Sequence, residues 1–222
     1  MRINADFSRR AAIRPDGYDW VSSPVGGVER MMLDRIGDEV ARATTIVRFA
    51  PGSYFDAHTH GGGEEFLVLD GVFSDQYGDF PTGTYVRNPI GTSHKPHTDN
   101  GCTILVKLHQ FDPSDTRQFH VDINAEPYRA TGIEGVTELP LHRAVNESVR
   151  ILRLEPGAEL NEGPRAGGEE IFVIEGDIED DDGIYPKGSW IRTPDGARHN
   201  IRSRSGAQVW IKTGHLRADL VG

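Results

Sequence analysis

The chain has 222 residues, a formal net charge of −10 and a sequence pI near 5.3. So acidic a surface repels phosphate backbones and argues against nucleic acid as a direct partner. The lone Cys102 excludes an intrachain disulfide and any cysteine-rich zinc module, while 26 Gly and 13 Pro against 36% apolar residues mark a turn-rich chain, more β than α.

The N-terminal stretch Met1-Arg-Ile-Asn-Ala-Asp-Phe-Ser-Arg-Arg10 lacks the apolar core of a signal peptide. No uninterrupted apolar run approaches membrane-spanning length. The expected location is cytoplasmic, with no membrane partner. Further on, Met31-Met-Leu-Asp-Arg-Ile36 fits either a short helical turn or a strand. The next stretch, Gly52-Ser-Tyr-Phe-Asp-Ala-His58-Thr-His60-Gly-Gly-Gly-Glu64, is the most informative. Histidines at i and i+2 share one face of a strand, because strand side chains alternate. Glu65-Phe-Leu-Val-Leu69 reads as the next buried strand. The glycines between permit a tight reversal that carries Glu64 back over the two imidazoles. His94 follows in Asn88-Pro-Ile-Gly-Thr-Ser-His94. Three imidazoles and one carboxylate suit a divalent metal. Zinc is the first expectation, with iron, manganese or nickel as alternatives, since nitrogen and oxygen donors do not choose among them.

Other residues nearby are read more cautiously. His97 is a weak candidate for a base or a fifth ligand, with an exposed loop histidine as the plainer reading. Glu65 faces away from Glu64. Phe55, Phe66 and Tyr85 line a pocket or fill the core, and the core is the commoner fate. Cys102, in Cys-Thr-Ile-Leu-Val-Lys107, reads as a buried strand thiol. The segment 112–130 is the expected crossing between domains, and Phe119-His-Val-Asp-Ile123 alternates like an edge strand.

An ungapped repeat runs at a constant offset of 105 residues. Gly62-Gly-Glu-Glu-Phe-Leu-Val-Leu-Asp-Gly71 returns as Gly167-Gly-Glu-Glu-Ile-Phe-Val-Ile-Glu-Gly176. Pro81-Thr-Gly-Thr-Tyr-Val-Arg-Asn-Pro89 returns as Pro186-Lys-Gly-Ser-Trp-Ile-Arg-Thr-Pro194. A repeat of that length is a domain duplication rather than a solenoid unit. The second copy has lost half of the metal-ligating set: His58 becomes Gly163 and His60 becomes Arg165, while Glu64 and His94 persist as Glu169 and His199. An Arg165–Glu169 ion pair near His199 is expected to replace the metal's charge, the alternative being a solvated arginine on a glycine-rich loop. Arg87 looks like a pocket cation, but Arg192 repeats it, which favours a shared structural role.

The spacing from Gly52 through His58, His60 and Glu64 to Gly71, followed by His94, resembles the cupin metal signature. With Gly61-Gly-Gly-Glu-Glu-Phe-Leu-Val-Leu-Asp-Gly71, Gly83-Thr-Tyr-Val-Arg-Asn-Pro89 and Gly101-Cys-Thr-Ile-Leu-Val-Lys107, the chain resembles the ChrR-like cupin family over both halves. That resemblance implies an all-β protein of two tandem cupin barrels, each a double-stranded β-helix or jelly roll. The expected domains are a metal-binding barrel at 1–125 and a second barrel at 126–222 with a degenerate site. It places the metal on His58, His60, Glu64 and His94. The family's anti-sigma factors add an N-terminal helical zinc module, which is not recognisable here, so this chain alone is not expected to bind a sigma factor. The functional expectation is a sensor, regulatory or small-molecule-binding protein. The alternative is an iron- or manganese-dependent dioxygenase acting on a small diketone or hydroxyketone. Unpaired sheet edges make a homodimer the expected assembly.

Overall fold

The structure is a computed structural model describing residues 1–38, 40–144 and 146–217. Among these residues the one helical element is a 3-10 turn at Pro15–Gly17, and the rest of the regular structure is antiparallel β-sheet. β-Branched and aromatic residues dominate the long strands, as a pleated and largely buried surface favours. In Ala41–Phe49, for example, Thr44, Thr45, Ile46, Val47 and Phe49 are all buried. The ambiguous segment at Met31 lies inside the strand Val28–Gly37. Its neighbour across the sheet, Ala41–Phe49, supplies the backbone partners that settle strand over helix.

The two halves repeat one sheet order. In the first, Val28–Gly37, Ala41–Phe49, Cys102–Leu108, Glu64–Asp75, Thr84–Asn88 and Phe119–Asp122 lie side by side. In the second the order is Val136–Arg143, Ser148–Leu154, Ala207–Thr213, Glu169–Asp180, Trp190–Thr193 and Ala11–Ile13. Each long central strand bends across two sheets. Glu64–Asp75 also pairs with Gly78–Pro81, and Glu169–Asp180 with Gly183–Pro186, as a double-stranded β-helix requires. The bulges correspond too, falling between Val68 and Asp70 in one half and Val173 and Glu175 in the other.

Each half encloses its own apolar core. The first is aromatic: Phe66 and Phe73 lie 4.6 Å apart between centroids, and Phe49 meets Phe73 edge-on at 6.0 Å. The second is mostly aliphatic, built on Leu152, Ile171, Val173, Ile191, Val209 and Ile211. Each such side chain contributes roughly 1.5–3 kcal/mol by leaving water. Cys102 is buried in the first core, and burial pushes its thiol up to about 11.

The main division between units falls after Ala125, but neither unit is continuous in sequence. Residues 6–18 belong with 126–222, and 1–5 with 19–125. The expected first domain of 1–125 is corrected at this point. Ala11–Ile13 pairs with Trp190–Thr193, so it closes the second barrel as Phe119–Asp122 closes the first by pairing with Thr84–Asn88. The crossing between units falls within the expected segment 112–130, and the alternating stretch inside it is the strand Phe119–Asp122, which completes the first barrel.

Gly71 and Gly176 show why the repeat conserves glycine so tightly. Both have positive φ, and a Cβ would lie 2.1 Å from the Gly101 carbonyl oxygen or 2.0 Å from that of Gly206. The obstacle is backbone, which cannot step aside. Gly71→Ala is therefore expected to cost about 2–5 kcal/mol through conformational strain and overpacking, read as a lower urea midpoint.

Candidate metal centre

The first barrel brings His58, His60, Glu64 and His94 together, with their ligand atoms all within 4.8 Å of one another. Three local features do this. His58–Thr59 pairs with Ser93–His94, setting His94 directly opposite His58. The tight turn at residues 61–63 returns the chain so that Glu64 Oε1 lies 3.4 Å from His60 Nε2 and 3.5 Å from His94 Nε2. The three imidazole centroids lie 4.6–5.3 Å apart. His60, Glu64 and His94 are buried, while His58 is exposed at the rim.

Hydrogen bonds fix the tautomer of each of these three histidines. His58 Nδ1 lies 3.0 Å from the Asp56 carbonyl, which only accepts, so Nδ1 carries the proton. His60 Nδ1 lies 2.9 Å from Thr92 Oγ1, whose own hydrogen is donated to the Pro89 carbonyl at 2.7 Å. Thr92 must therefore accept from His60. His94 Nδ1 donates to Asp75 Oδ2 at 3.1 Å. All three rings thus present a bare Nε2. Those of His60 and His94 are buried without a hydrogen-bond partner, an arrangement that normally costs about 1–3 kcal/mol per group. A cation between them removes that cost, so the residues present fit a divalent metal. Burial, ahead of the neighbouring charges, holds the His60 pKa below its ordinary value, favouring the neutral ring that a metal needs.

Glu64 is held as well. Asn88 Nδ2 donates to Glu64 Oε1 at 3.3 Å, and Gln118 Nε2 donates to Asn88 Oδ1 at 3.2 Å. Asp75, Thr92, Asn88 and Gln118 were not singled out in the sequence. Asp75 could have been found there, because its counterpart Asp180 preserves the offset of 105. His109 was missed too. It adopts φ +56 where the second copy has Gly214 at φ +89, and its side chain packs against Gly62 in the turn between His60 and Glu64.

Of the other sequence candidates, Phe55 touches the site at His58 and the rest lie away from it. His97 is exposed on the short strand His97–Thr98 and lies outside the cluster. Phe66 and Tyr85 are core residues, while Phe55 packs edge-on against Phe49 at 5.4 Å and His58 at 6.3 Å. Arg87 is fully buried in ion pairs with Glu65 and Asp115, both at 2.8 Å, a structural role.

The second barrel fills the same place with ion pairs. Arg165 Nε lies 3.4 Å from Glu169 Oε2, and Arg165 also pairs with Glu162, as does Arg150. His199 Nδ1 lies 2.9 Å from Glu169 Oε1, and its Nε2 lies 2.9 Å from Asp180 Oδ2. Arg10 reaches Asp180 at 2.6 Å. Arg165 therefore turns inward, as its position in the repeat implies.

Burial alone would lower the His199 pKa, but hydrogen bonds and charge from Glu169 and Asp180 outweigh it and raise the value above 6.5. A raised folded pKa contributes stability that is complete below the unfolded value and lost as pH rises through the folded one. Unfolding of the second barrel should accordingly show a fall in stability as pH rises above about 6.5, and His199→Gln should remove that dependence.

Comparison with known proteins places these observations. A family model described as the ChrR cupin-like domain matches residues 8–112 and again 116–217. No curated protein matches the sequence significantly. Among solved structures, a candidate dioxygenase from Nostoc punctiforme superposes with a TM-score of 0.73 at 14% identity, covering 99% of this chain and 85% of that one. A bacterial pirin from Escherichia coli, in complex with nickel(II), gives 0.68 at 13% identity, covering 92% and 98%. A variant of oxalate decarboxylase from Bacillus subtilis gives 0.63 at 13% identity, covering 93% and 77%. At such identities these likenesses establish the bicupin fold. With the family matched in both halves, this chain belongs to the ChrR cupin-like family.

Proposed function

We propose that the protein is a single-metal bicupin that binds a small oxygen-donor ligand, serving as a sensor or regulatory module, with the second barrel as a metal-free support. The observation that carries this reading is the convergence of three bare imidazole Nε2 atoms and one carboxylate oxygen, each fixed by its own hydrogen bond. A divalent ion there supplies a Lewis-acid centre with coordination positions beyond the four protein ligands. Each residue's part follows from its contacts. His60, Glu64 and His94 bind from within the barrel. His58, exposed at the rim, marks the side from which a small ligand approaches. Asp75 orients His94 and adds a second carboxylate, so a dication here meets two negative charges and the centre is neutral overall. Such a centre favours ligands that bind neutral or release a proton on binding.

A second reading is oxygenation of a small diketone or hydroxyketone. The nitrogen and oxygen donor set supports it, because it accepts iron and manganese as readily as zinc.

Metal analysis of anaerobically purified protein tests the first reading. The expected result is one ion per chain, lost in His60→Ala and retained in Arg165→Ala. Because Arg165 is partly exposed and Glu169 buried, Arg165→Ala should instead lower stability by about 1–2 kcal/mol, between the values for exposed and buried pairs. Wild-type protein that takes up no divalent metal would end this reading. Oxygen uptake with small diketones by the iron- or manganese-loaded protein would select the second.

A further inference from the structure

The two barrels carry the same carboxylate in the same place, Glu64 and Glu169, and differ in what holds it. In the first barrel, Glu64 Oε1 faces both buried imidazoles and also accepts the N–H of Asn88. Asn88 is buried, and its amide orientation follows from its two neighbours. A carboxylate only accepts, so the amide nitrogen faces Glu64. The amide oxygen faces Gln118, which donates to it. Gln118 is exposed on the segment leading into Phe119–Asp122, whose register along Thr84–Asn88 sets Arg87 opposite Phe119. The strand that closes the first barrel thus delivers a side chain to a hydrogen-bond chain ending on the metal-facing oxygen.

The second barrel lacks this chain of contacts. Thr193 stands at the Asn88 position, and its hydroxyl is buried without a hydrogen-bond partner. Beside it, the closing strand begins just after Arg10, which bonds Asp180 and Tyr185 rather than residue 193. The amide chain therefore accompanies the complete set of metal-ligating residues and is missing where that set has decayed.

From this we infer that Asn88 and Gln118 are positioning residues of the metal centre: their amide chain fixes Glu64 Oε1 as the oxygen presented to the metal. Its influence is twofold. It holds the carboxylate against rotation, so the oxygen need not be ordered when the ion arrives. It also draws electron density from Oε1, opposing the push that Asp75 gives through His94. The inference rests on the metal reading above, and its test separates the two.

Cobalt(II) is the probe, since its visible absorption reports coordination geometry and its uptake gives an affinity. Asn88→Thr, the residue of the second barrel, should weaken cobalt(II) binding by about 10–100-fold, the usual range for residues that orient a ligand. It should also shift the visible bands. Gln118→Glu keeps the shape but cannot donate, so Asn88 must turn its N–H outward and its oxygen toward Glu64. A fall in affinity larger than that of Gln118→Ala is expected. Because Gln118 is exposed, both of its variants should keep the wild-type melting temperature without metal, and they carry the test if Asn88→Thr misfolds. Wild-type affinity and spectrum in both Gln118 variants would overturn the relay and leave the metal centre standing. A wild-type protein blind to cobalt(II) would overturn both.

Discussion

A buried carboxylate without a cation is among the costliest arrangements a protein interior can hold, and this fold sets a buried carboxylate at the same position of each barrel. Glu64 is 7% exposed and Glu169 3%. Everything around them answers that demand. In the first barrel the answer is three imidazoles with bare nitrogens, which add no charge of their own and so call for a metal ion. In the second it is Arg165 together with a His199 whose protonated form is favoured between Glu169 and Asp180. One backbone template thus supports two solutions to the same electrostatic problem. The choice turns on the residues that precede the glycine turn, histidine at 58 and 60 or Gly163 and Arg165.

A second layer of buried charge is common to both halves and independent of the site. Glu65 is held by Arg87 at 2.8 Å and by the Tyr85 hydroxyl at 2.5 Å. Its counterpart Glu170 is held by the Trp190 indole at 2.7 Å and by His215 at 2.6 Å. Because strand side chains alternate, Glu64 and Glu65 face opposite sides of one strand. Two adjacent carboxylates therefore serve separate networks. Conserving both in the repeat fixes the register of the central strand, since a one-residue slip would exchange them and leave both charges without their partners.

The sequence disclosed what is local or repeated. The four residues of the candidate site could be picked out because two lie at strand spacing, one follows a glycine turn, and the fourth comes after a second glycine turn. The jelly-roll architecture was legible through the duplication and the resemblance it supported. Arg165 was legible because no gap separates it from Glu169. The hidden features depend on contacts that spacing does not encode. Asn88 and Gln118 meet only because Phe119–Asp122 docks on Thr84–Asn88. The tautomer of His60 depends on Thr92, a residue whose role appears only once Pro89 is seen to accept its hydrogen. Least visible was the N-terminal segment. Ala11–Ile13 offers just a few apolar residues, and its partner strand lies near the far end of the chain.

That last pairing shapes how the molecule comes into being. Residues 6–18 are synthesised well before Trp190–Thr193, the strand on which Ala11–Ile13 docks. At about 5–20 residues per second, the first barrel has all of its strands long before the second does. Until Trp190–Thr193 is synthesised, the early segment lacks its partner strand. When the Trp190 strand appears, its open edge would otherwise be a template for another chain. Its cover is already present in the same molecule, at the high local concentration that a tether provides. The N-terminal strand thus covers that edge from within the same chain.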